Sequence, residues 1–126
     1  MTVLDASALL AYLLDEAGAD AVERALAEEA AIGAVNLAEV LSKLADTGED
    51  PEGAMDAIAV LPLQVVPFDE DLAVATARLR PLTSSAALSL GDRSCLALGH
   101  RIGGRVLTAD AAWAGLVPGA DVQVIR

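Results

Sequence analysis

The chain has 126 residues, 55 % of them hydrophobic, which is enough to build one core, and we expect a single domain over residues 1–126. Its formal net charge of −11 opposes unspecific affinity for nucleic acid, and its single Cys and single His exclude an internal disulfide and a zinc site of the usual Cys/His type. No apolar run reaches the length of a bilayer span and no cleavable leader is apparent, so we expect a cytoplasmic protein.

Short apolar strands alternate with helices along the whole chain. The strands are predicted, in order, over residues 2–7, 31–35, 63–66, 106–108 and 122–125. The helices are predicted over residues 8–14, 19–30, 37–44, 51–59, 70–80 and 89–102, with a short one around Trp113. This alternation predicts parallel strand pairing with helices on both faces, a three-layer α/β/α sandwich around a mainly parallel sheet of about five strands.

Polar residues indicate where two of these helices begin. Asn36 is predicted as an N-cap, with Glu39 three residues later at the spacing of a capping box. Ser89 and Asp92 have the same spacing at the start of a later helix. Residues 81–88 are the least regular segment of the sequence, and we expect a mobile loop there.

Four acids lie at predicted strand ends or in first helical turns: Asp5, Glu39, Asp92 and Asp110. Each one alone has an ordinary explanation as a helix cap, which contributes about 1 kcal/mol. In a parallel sheet the four would share one edge, where two carboxylates about 4 Å apart repel by roughly 4 kcal/mol at an effective dielectric constant of about 20. A divalent cation would relieve that repulsion, and oxygen ligands without thiolate or imidazole select Mg²⁺ or Mn²⁺.

Such a site supports phosphoryl transfer by metal-activated water, a reaction that needs no histidine base. Ser7, Asn36 and Thr108 are placed to orient water molecules around the cation.

Two cations next to these acids have open roles. Arg93, which follows Asp92, could contact a phosphate or could equally be an ordinary exposed residue of the first turn. Lys43 lies four residues after Glu39, so a salt bridge within the helix is favoured over a phosphate contact.

Four segments resemble the sequences of PIN-domain nucleases, in particular VapC-type toxins of bacterial toxin–antitoxin pairs. They are residues 3–10 (VLDASALL), 36–40 (NLAEV), 90–93 (LGDR) and 107–110 (LTAD). The segments follow one another in the family's order and cover essentially the whole chain.

The resemblance implies a PIN-like α/β/α sandwich with Mg²⁺- or Mn²⁺-dependent endoribonuclease activity on structured or single-stranded RNA. By the same resemblance, Asp5 and Asp92 would be direct metal ligands, and Glu39 and Asp110 would act directly or through water. It also implies a homodimer that is neutralised by a small VapB-like antitoxin, whose C-terminal segment covers the acidic groove.

Two other functions remain open from the residues. A phosphatase or receiver domain that forms an aspartyl phosphate also carries acids beyond parallel strands, but the Asp5-Ala6-Ser7 order lacks the second Asp expected of such a phosphatase. A PIN-like scaffold that binds a partner without cutting RNA is the non-enzymatic alternative.

Overall fold

The computed structural model describes residues 1–126. Its strands are β1 (Thr2–Leu4), β2 (Ala30–Gly33), β3 (Leu63–Val66), β4 (Arg105–Thr108) and β5 (Val122–Val124). Its helices are α1 (Ala6–Leu13), α2 (Ala19–Glu28), α3 (Ala34–Asp46), α4 (Pro51–Ala59), α5 (Glu70–Arg78), α6 (Arg80–Thr83) and α7 (Leu90–Ile102). Two short 3₁₀ turns cover Ser84–Ala86 and Ala111–Trp113. None of the helices is both long and apolar enough to span a membrane.

The five strands form one parallel sheet in the order β3-β2-β1-β4-β5. β1 lies at the centre, where Leu4 is opposite Ile32 of β2 and Leu107 of β4. The chain first builds the sheet outward from β1 to β3 and then returns to place β4 on the other side of β1. The order therefore reverses between β1 and β4, and in open sheets the crevice beyond the carboxyl ends of strands at such a reversal is the usual ligand site.

Right-handed connections place the helices on two faces of the sheet. The β1–β2 and β2–β3 connections cross the sheet in one direction and the β3–β4 connection crosses back, so α1–α4 cover one face and α5 and α7 the other. Successive residues of β1 point to opposite faces, with Leu4 in the core under α1–α4 and Val3 in the core under α5 and α7. The predicted three-layer α/β/α sandwich with a parallel sheet is confirmed.

Several local predictions are wrong. The strands predicted over residues 2–7 and 31–35 end at Leu4 and Gly33, and helices begin at Ala6 and Ala34. α3 begins at Ala34 after an N-cap at Gly33, so Asn36 lies inside the first turn and is not the cap. Residues 81–88 are largely helical, because α6 and the 3₁₀ turn occupy most of the segment. Thr83 in α6 has no exposed surface and donates a hydrogen bond to the carbonyl of Leu79, the N-cap residue of α6, at 2.8 Å.

Candidate acidic active site

The four predicted acids line one cleft at the β1–β4 edge of the sheet. This acidic cleft is bounded by Asp5, Ala6, Ser7, Leu10, Glu39, Lys43, Asp92 and Asp110. Asp5 follows β1, Asp110 follows β4, and Asp92 lies in the first turn of α7. Glu39, which was predicted in a first turn, lies in the second turn of α3, because that helix begins at Ala34. The predicted convergence of four carboxylates from four separate segments is therefore what the fold produces.

Asp5 is the most deeply placed of the four acids, with 4 % of its surface exposed. It occupies the N-cap position of α1, yet its side chain makes no capping bond there. Its Oδ2 instead accepts hydrogen bonds from Ser7 Oγ at 2.6 Å and Thr108 Oγ1 at 3.0 Å. Burial raises the pKa of Asp5, the two hydroxyl bonds oppose that rise, and repulsion from Asp92 adds to it.

Backbone amides set the direction in which the two hydroxyls donate. Ser7 Oγ accepts from Ala109 N at 2.9 Å, and Thr108 Oγ1 accepts from Asp110 N at 3.1 Å. Because each oxygen accepts from the end of β4, each hydroxyl proton is free to point at Asp5. Ser7 and Thr108 thus hold the Asp5 carboxylate, a role more specific than the predicted orientation of water molecules.

Glu39 is half-buried, and its Oε1 accepts a hydrogen bond from Asn36 Nδ2 at 2.9 Å. Burial raises the pKa of Glu39, the Asn36 bond lowers it, and repulsion from Asp5 and Asp92 raises it again. The expected salt bridge with Lys43 is absent, although the Lys43 charge does lower the pKa of Glu39. Lys43 instead lines the acidic cleft as its one cation.

Asp92 and Asp110 do perform the capping role that the sequence allowed. Asp92 and Ser89 form a complete capping box, in which Ser89 N donates to Asp92 Oδ2 at 3.0 Å and Asp92 N donates to Ser89 Oγ at 3.1 Å. Asp110 Oδ1 accepts from Ala112 N at 2.9 Å at the start of a 3₁₀ turn. Capping therefore accounts for these two acids, but not for Asp5 or Glu39.

No ion pair compensates the charge of the cleft. The three salt bridges of the protein join Arg101 to Asp69, Arg105 to Asp121 and Arg126 to Glu16, all of them away from the cleft. Four carboxylates thus share one edge of the sheet with a single lysine. An arrangement of this kind costs electrostatic free energy unless a cation joins it.

The donor set fits a hard divalent cation, although the side chains are not arranged around one. The cleft offers carboxylate oxygens and no thiolate or imidazole, which are the ligands of Mg²⁺ and Mn²⁺. No three His, Cys, Asp or Glu side chains are grouped so that they could hold an ion as they stand. The carboxylates of Asp92 and Asp110 face backbone amides. Asp92 is half-buried and Asp110 is exposed. A cation held by all four acids would require these two side chains to turn away from those amides.

Arg93 is not part of the acidic cleft. It is 7 % exposed, and its Nη1 donates to the Thr76 carbonyl of α5 at 3.3 Å, on the side of α7 that faces away from the four acids. The expectation of an exposed first-turn residue is wrong, and this position does not support a phosphate contact.

Gly91 is a site residue that the sequence did not reveal. It precedes Asp92 and is buried, and its carbonyl accepts hydrogen bonds from Asn36 Nδ2 at 3.0 Å and from Ser94 Oγ at 2.9 Å. Glu39 packs directly against its Cα, where any other residue would carry a side chain. Only the contact between α3 and α7 could have identified it.

Residues 2–116 match the family model of the PIN domain, and the chain belongs to this family. PIN domains are generally nucleases. No curated protein matches the chain in sequence.

Several solved structures share the fold at low sequence identity. A toxin–antitoxin complex from Klebsiella pneumoniae is similar with a TM-score of 0.77 and 19 % identity, over 100 % of this chain and 98 % of that chain. VapBC2 from Rickettsia felis, bound to a DNA fragment from its promoter, has a TM-score of 0.74 and 13 % identity, over 97 % of this chain and 96 % of that chain. FitAcB from Neisseria gonorrhoeae has a TM-score of 0.73 and 18 % identity over the same shares of the two chains.

Proposed function

We propose that the protein is a Mg²⁺- or Mn²⁺-dependent endoribonuclease, the toxin of a VapBC-like toxin–antitoxin pair, acting in the cytoplasm. The observation that carries the proposal is the convergence of four carboxylates from separate segments on one cleft without a compensating ion pair. Membership of the PIN family and the sequence resemblance to VapC-type toxins support it.

The four acids of the cleft would have different roles at the cation. Asp5 and Asp92 would hold the cation, and Glu39 and Asp110 would contribute directly or through water. A divalent cation bound there supplies a water nucleophile at neutral pH and neutralises charge that develops on the phosphate. Ser7 and Thr108 keep the buried Asp5 carboxylate in place and favour its ionised form.

Glu39 fits the role of proton acceptor in this cleft. It lines the cleft, it is half-buried, and no salt bridge occupies its carboxylate. The Asn36 bond holds one oxygen of the carboxylate and fixes its orientation. Lys43 lies on the wall of the cleft, where it can contact a phosphate of the RNA.

The proposed partners follow from the resemblance and from the neighbours in fold. The similar structures from Klebsiella pneumoniae and Rickettsia felis are a toxin–antitoxin complex and VapBC2, and we propose a small VapB-like antitoxin whose C-terminal segment covers the acidic cleft. We also propose a homodimer.

A cleavage assay with end-labelled RNA oligonucleotides tests this function. We expect cleavage in Mg²⁺ or Mn²⁺, loss of cleavage in EDTA, and loss in both Asp5→Asn and Asp92→Asn. Asp56→Asn is the matched control, because Asp56 is an exposed acid in α4 outside the cleft, and it should cleave as the wild type does. Unchanged cleavage by Asp5→Asn or Asp92→Asn in excess Mg²⁺ would refute the assignment.

A partner-binding scaffold without nuclease activity is the second candidate. It is favoured by the capping bonds of Asp92 and Asp110 and by the lack of three acids grouped around one point. Antitoxin binding by a wild-type protein that cleaves no RNA in any divalent ion would select it. A receiver domain is disfavoured, because its flavodoxin-like sheet has the order 2-1-3-4-5, which differs from the order found here.

A further inference from the structure

One buried amide connects the two helices that carry Glu39 and Asp92. Asn36, in the first turn of α3, has no exposed surface, and its Nδ2 donates both to Glu39 Oε1 and to the Gly91 carbonyl. Gly91 lies in the first turn of α7, directly before Asp92. The Asn36 amide therefore links the Glu39 carboxylate to the first turn of α7, which carries Asp92.

The orientation of this amide is fixed by its neighbours. Glu39 Oε1 and Gly91 O are both acceptors, so the nitrogen of Asn36 must face them and the oxygen must face away. Asn36 Oδ1 is consequently buried without a partner, close to the Cα of Gly33. An unsatisfied buried acceptor destabilises the fold, and an apolar side chain would avoid that cost. Stability alone does not account for an asparagine here.

Gly91 is needed for the space that it leaves. A Cβ at this position would clash with Glu39 Oε1, the oxygen that Asn36 holds, and would lie 2.6 Å from Glu39 Cδ and 2.7 Å from Glu39 Oε2. Ordinary contact begins at 3.4 Å, so the carboxylate would have to retreat by at least the 0.8 Å that separates 2.6 from 3.4 Å. Gly91 does not have a positive φ, so its backbone conformation does not require glycine.

We propose that Asn36 and Gly91 are positioning residues for Glu39. Asn36 holds the carboxylate by its Oε1. Gly91 has no side chain and so leaves room for the carboxylate against its Cα. The proposal rests on the nuclease function proposed above, because the position of Glu39 relative to Asp92 matters for cleavage only if both act in one reaction. It adds two residues that carry no acid chemistry to the requirements of the site.

Gly91→Ala tests the proposal in the cleavage assay. Displacement of a reacting group by about 1 Å can cost about 100-fold in rate, and we expect a loss of that order with little change in the apparent affinity for RNA. Gly53→Ala is the matched control, because Gly53 also lies in the first turn of a helix and its Cβ would meet only Asp50, at 3.7 Å or more. Alanine favours both helices, so neither variant should lower the unfolding midpoint.

The double variant Gly91→Ala/Glu39→Ala separates positioning from a structural role. If Gly91 acts through Glu39, the glycine substitution adds no further loss once the glutamate has been removed. Additive losses would overturn the proposal, and so would wild-type cleavage by Gly91→Ala.

A measurement on the metal-free protein needs neither an ion nor RNA. The side-chain NH₂ of Asn36 should give two NMR signals that exchange slowly with solvent, one for each hydrogen bond. In Gly91→Ala and in Glu39→Ala the proton that faces Glu39 should lose its protection, while Gly53→Ala should match the wild type. An unchanged Asn36 signal in Gly91→Ala would overturn the proposal even if the wild type cleaves RNA. A wild type that cleaves nothing would instead refute the nuclease function, and the amide signals would still decide whether Asn36 and Gly91 position Glu39.

Discussion

The Thr108 hydroxyl allows a direct test of how the fold keeps a buried carboxylate. Thr108 has no exposed surface, and its Oγ1 donates to Asp5 Oδ2 at 3.0 Å and accepts from Asp110 N at 3.1 Å. Thr108→Val keeps the shape of the side chain and replaces the hydroxyl with a methyl group. Asp5 then keeps the hydroxyl of Ser7 as its side-chain donor, and the Asp110 amide loses its acceptor.

The expected cost follows from these two bonds. A hydrogen bond to a charged group contributes about 1.5–3 kcal/mol and one between neutral groups about 0.5–1.5 kcal/mol. The Asp110 amide lies near the surface and can bond to water, so we expect a total loss of about 2–4 kcal/mol at neutral pH. The free energy of unfolding of an ordinary domain is roughly 5–15 kcal/mol, so this loss would be a large part of it.

The cost should depend on pH with a definite sign. The pKa of Asp5 is raised in the folded state, so this group adds stability at low pH and the contribution is lost as pH rises through the folded-state pKa. Removing the Thr108 donor raises that pKa further and enlarges the loss. Thr108→Val should therefore cost more at neutral than at mildly acidic pH.

Urea unfolding followed by circular dichroism measures the effect. In an Asp5→Asn background both bonds of Thr108 are neutral, and the cost of Thr108→Val should fall to about 1–2.5 kcal/mol. Thr76→Val is the matched control, because Thr76 is 1 % exposed and its Oγ1 has no partner to lose. The reasoning is wrong if Thr108→Val costs no more than Thr76→Val, or costs the same with and without the Asp5 charge.

Four further outcomes are expected. Asp5→Asn should raise the free energy of unfolding at neutral pH by about 1–3 kcal/mol. The free energy of unfolding should also fall less with rising pH than in the wild type, which calorimetry over a pH series measures. Mg²⁺ at about 100 times its Kd should stabilise the wild type by about 2.7 kcal/mol, and Asp92→Asn by clearly less. Arg93→Met should keep cleavage and lose no stability, since its buried guanidinium has no acidic partner; a folded variant without cleavage would contradict this. Light scattering at micromolar concentration should give twice the 12.8 kDa chain mass, and a monomer would disprove the dimer.

The element order of the fold could be predicted because its signals are local. Strands buried on both faces appear as short apolar runs. Helix starts carry caps such as Asp50, Asp69 and Ser89, and the side chain of each accepts a hydrogen bond from a backbone amide of the first turn. The alternation of the two elements then requires parallel pairing. The positions of Asp5 and Asp110 at strand ends and of Asp92 in a first turn follow from the same local patterns. Glu39 lies one turn further into its helix than predicted, because α3 begins at Ala34.

The errors arise where a distant contact outweighs a local preference. Asparagine is a common N-cap residue, yet the N-cap of α3 is Gly33. The side-chain amide of Asn36 instead donates to Glu39 and to Gly91, 55 positions away. An arginine in the first turn of a helix is expected to be exposed, yet the packing of α7 on α5 buries Arg93. No pattern within a single helix contains this information.

The same limit applies inside the candidate site. Local spacing could show that Asp92 has a capping partner three residues away. It could not show that Asp5 would be held by a hydroxyl 103 positions along the chain, or that a glycine in α7 would leave room for a glutamate of α3. Whether an acid is bonded within its own helix or held by a distant segment is therefore a property of the folded chain.

The central position of β1 has a consequence for biosynthesis. Among the elements described, β1 is the first to leave the ribosome, but one of its two neighbours, β4, is made only after α7. Until residues 105–110 emerge, the nascent polypeptide lacks both Thr108 and Asp110 and has no complete cleft. Parallel pairing between segments so far apart is slow to form, so the acidic cleft is completed only after β4 has been made and has paired with β1. The four carboxylates therefore come together only once most of the described chain has been synthesised.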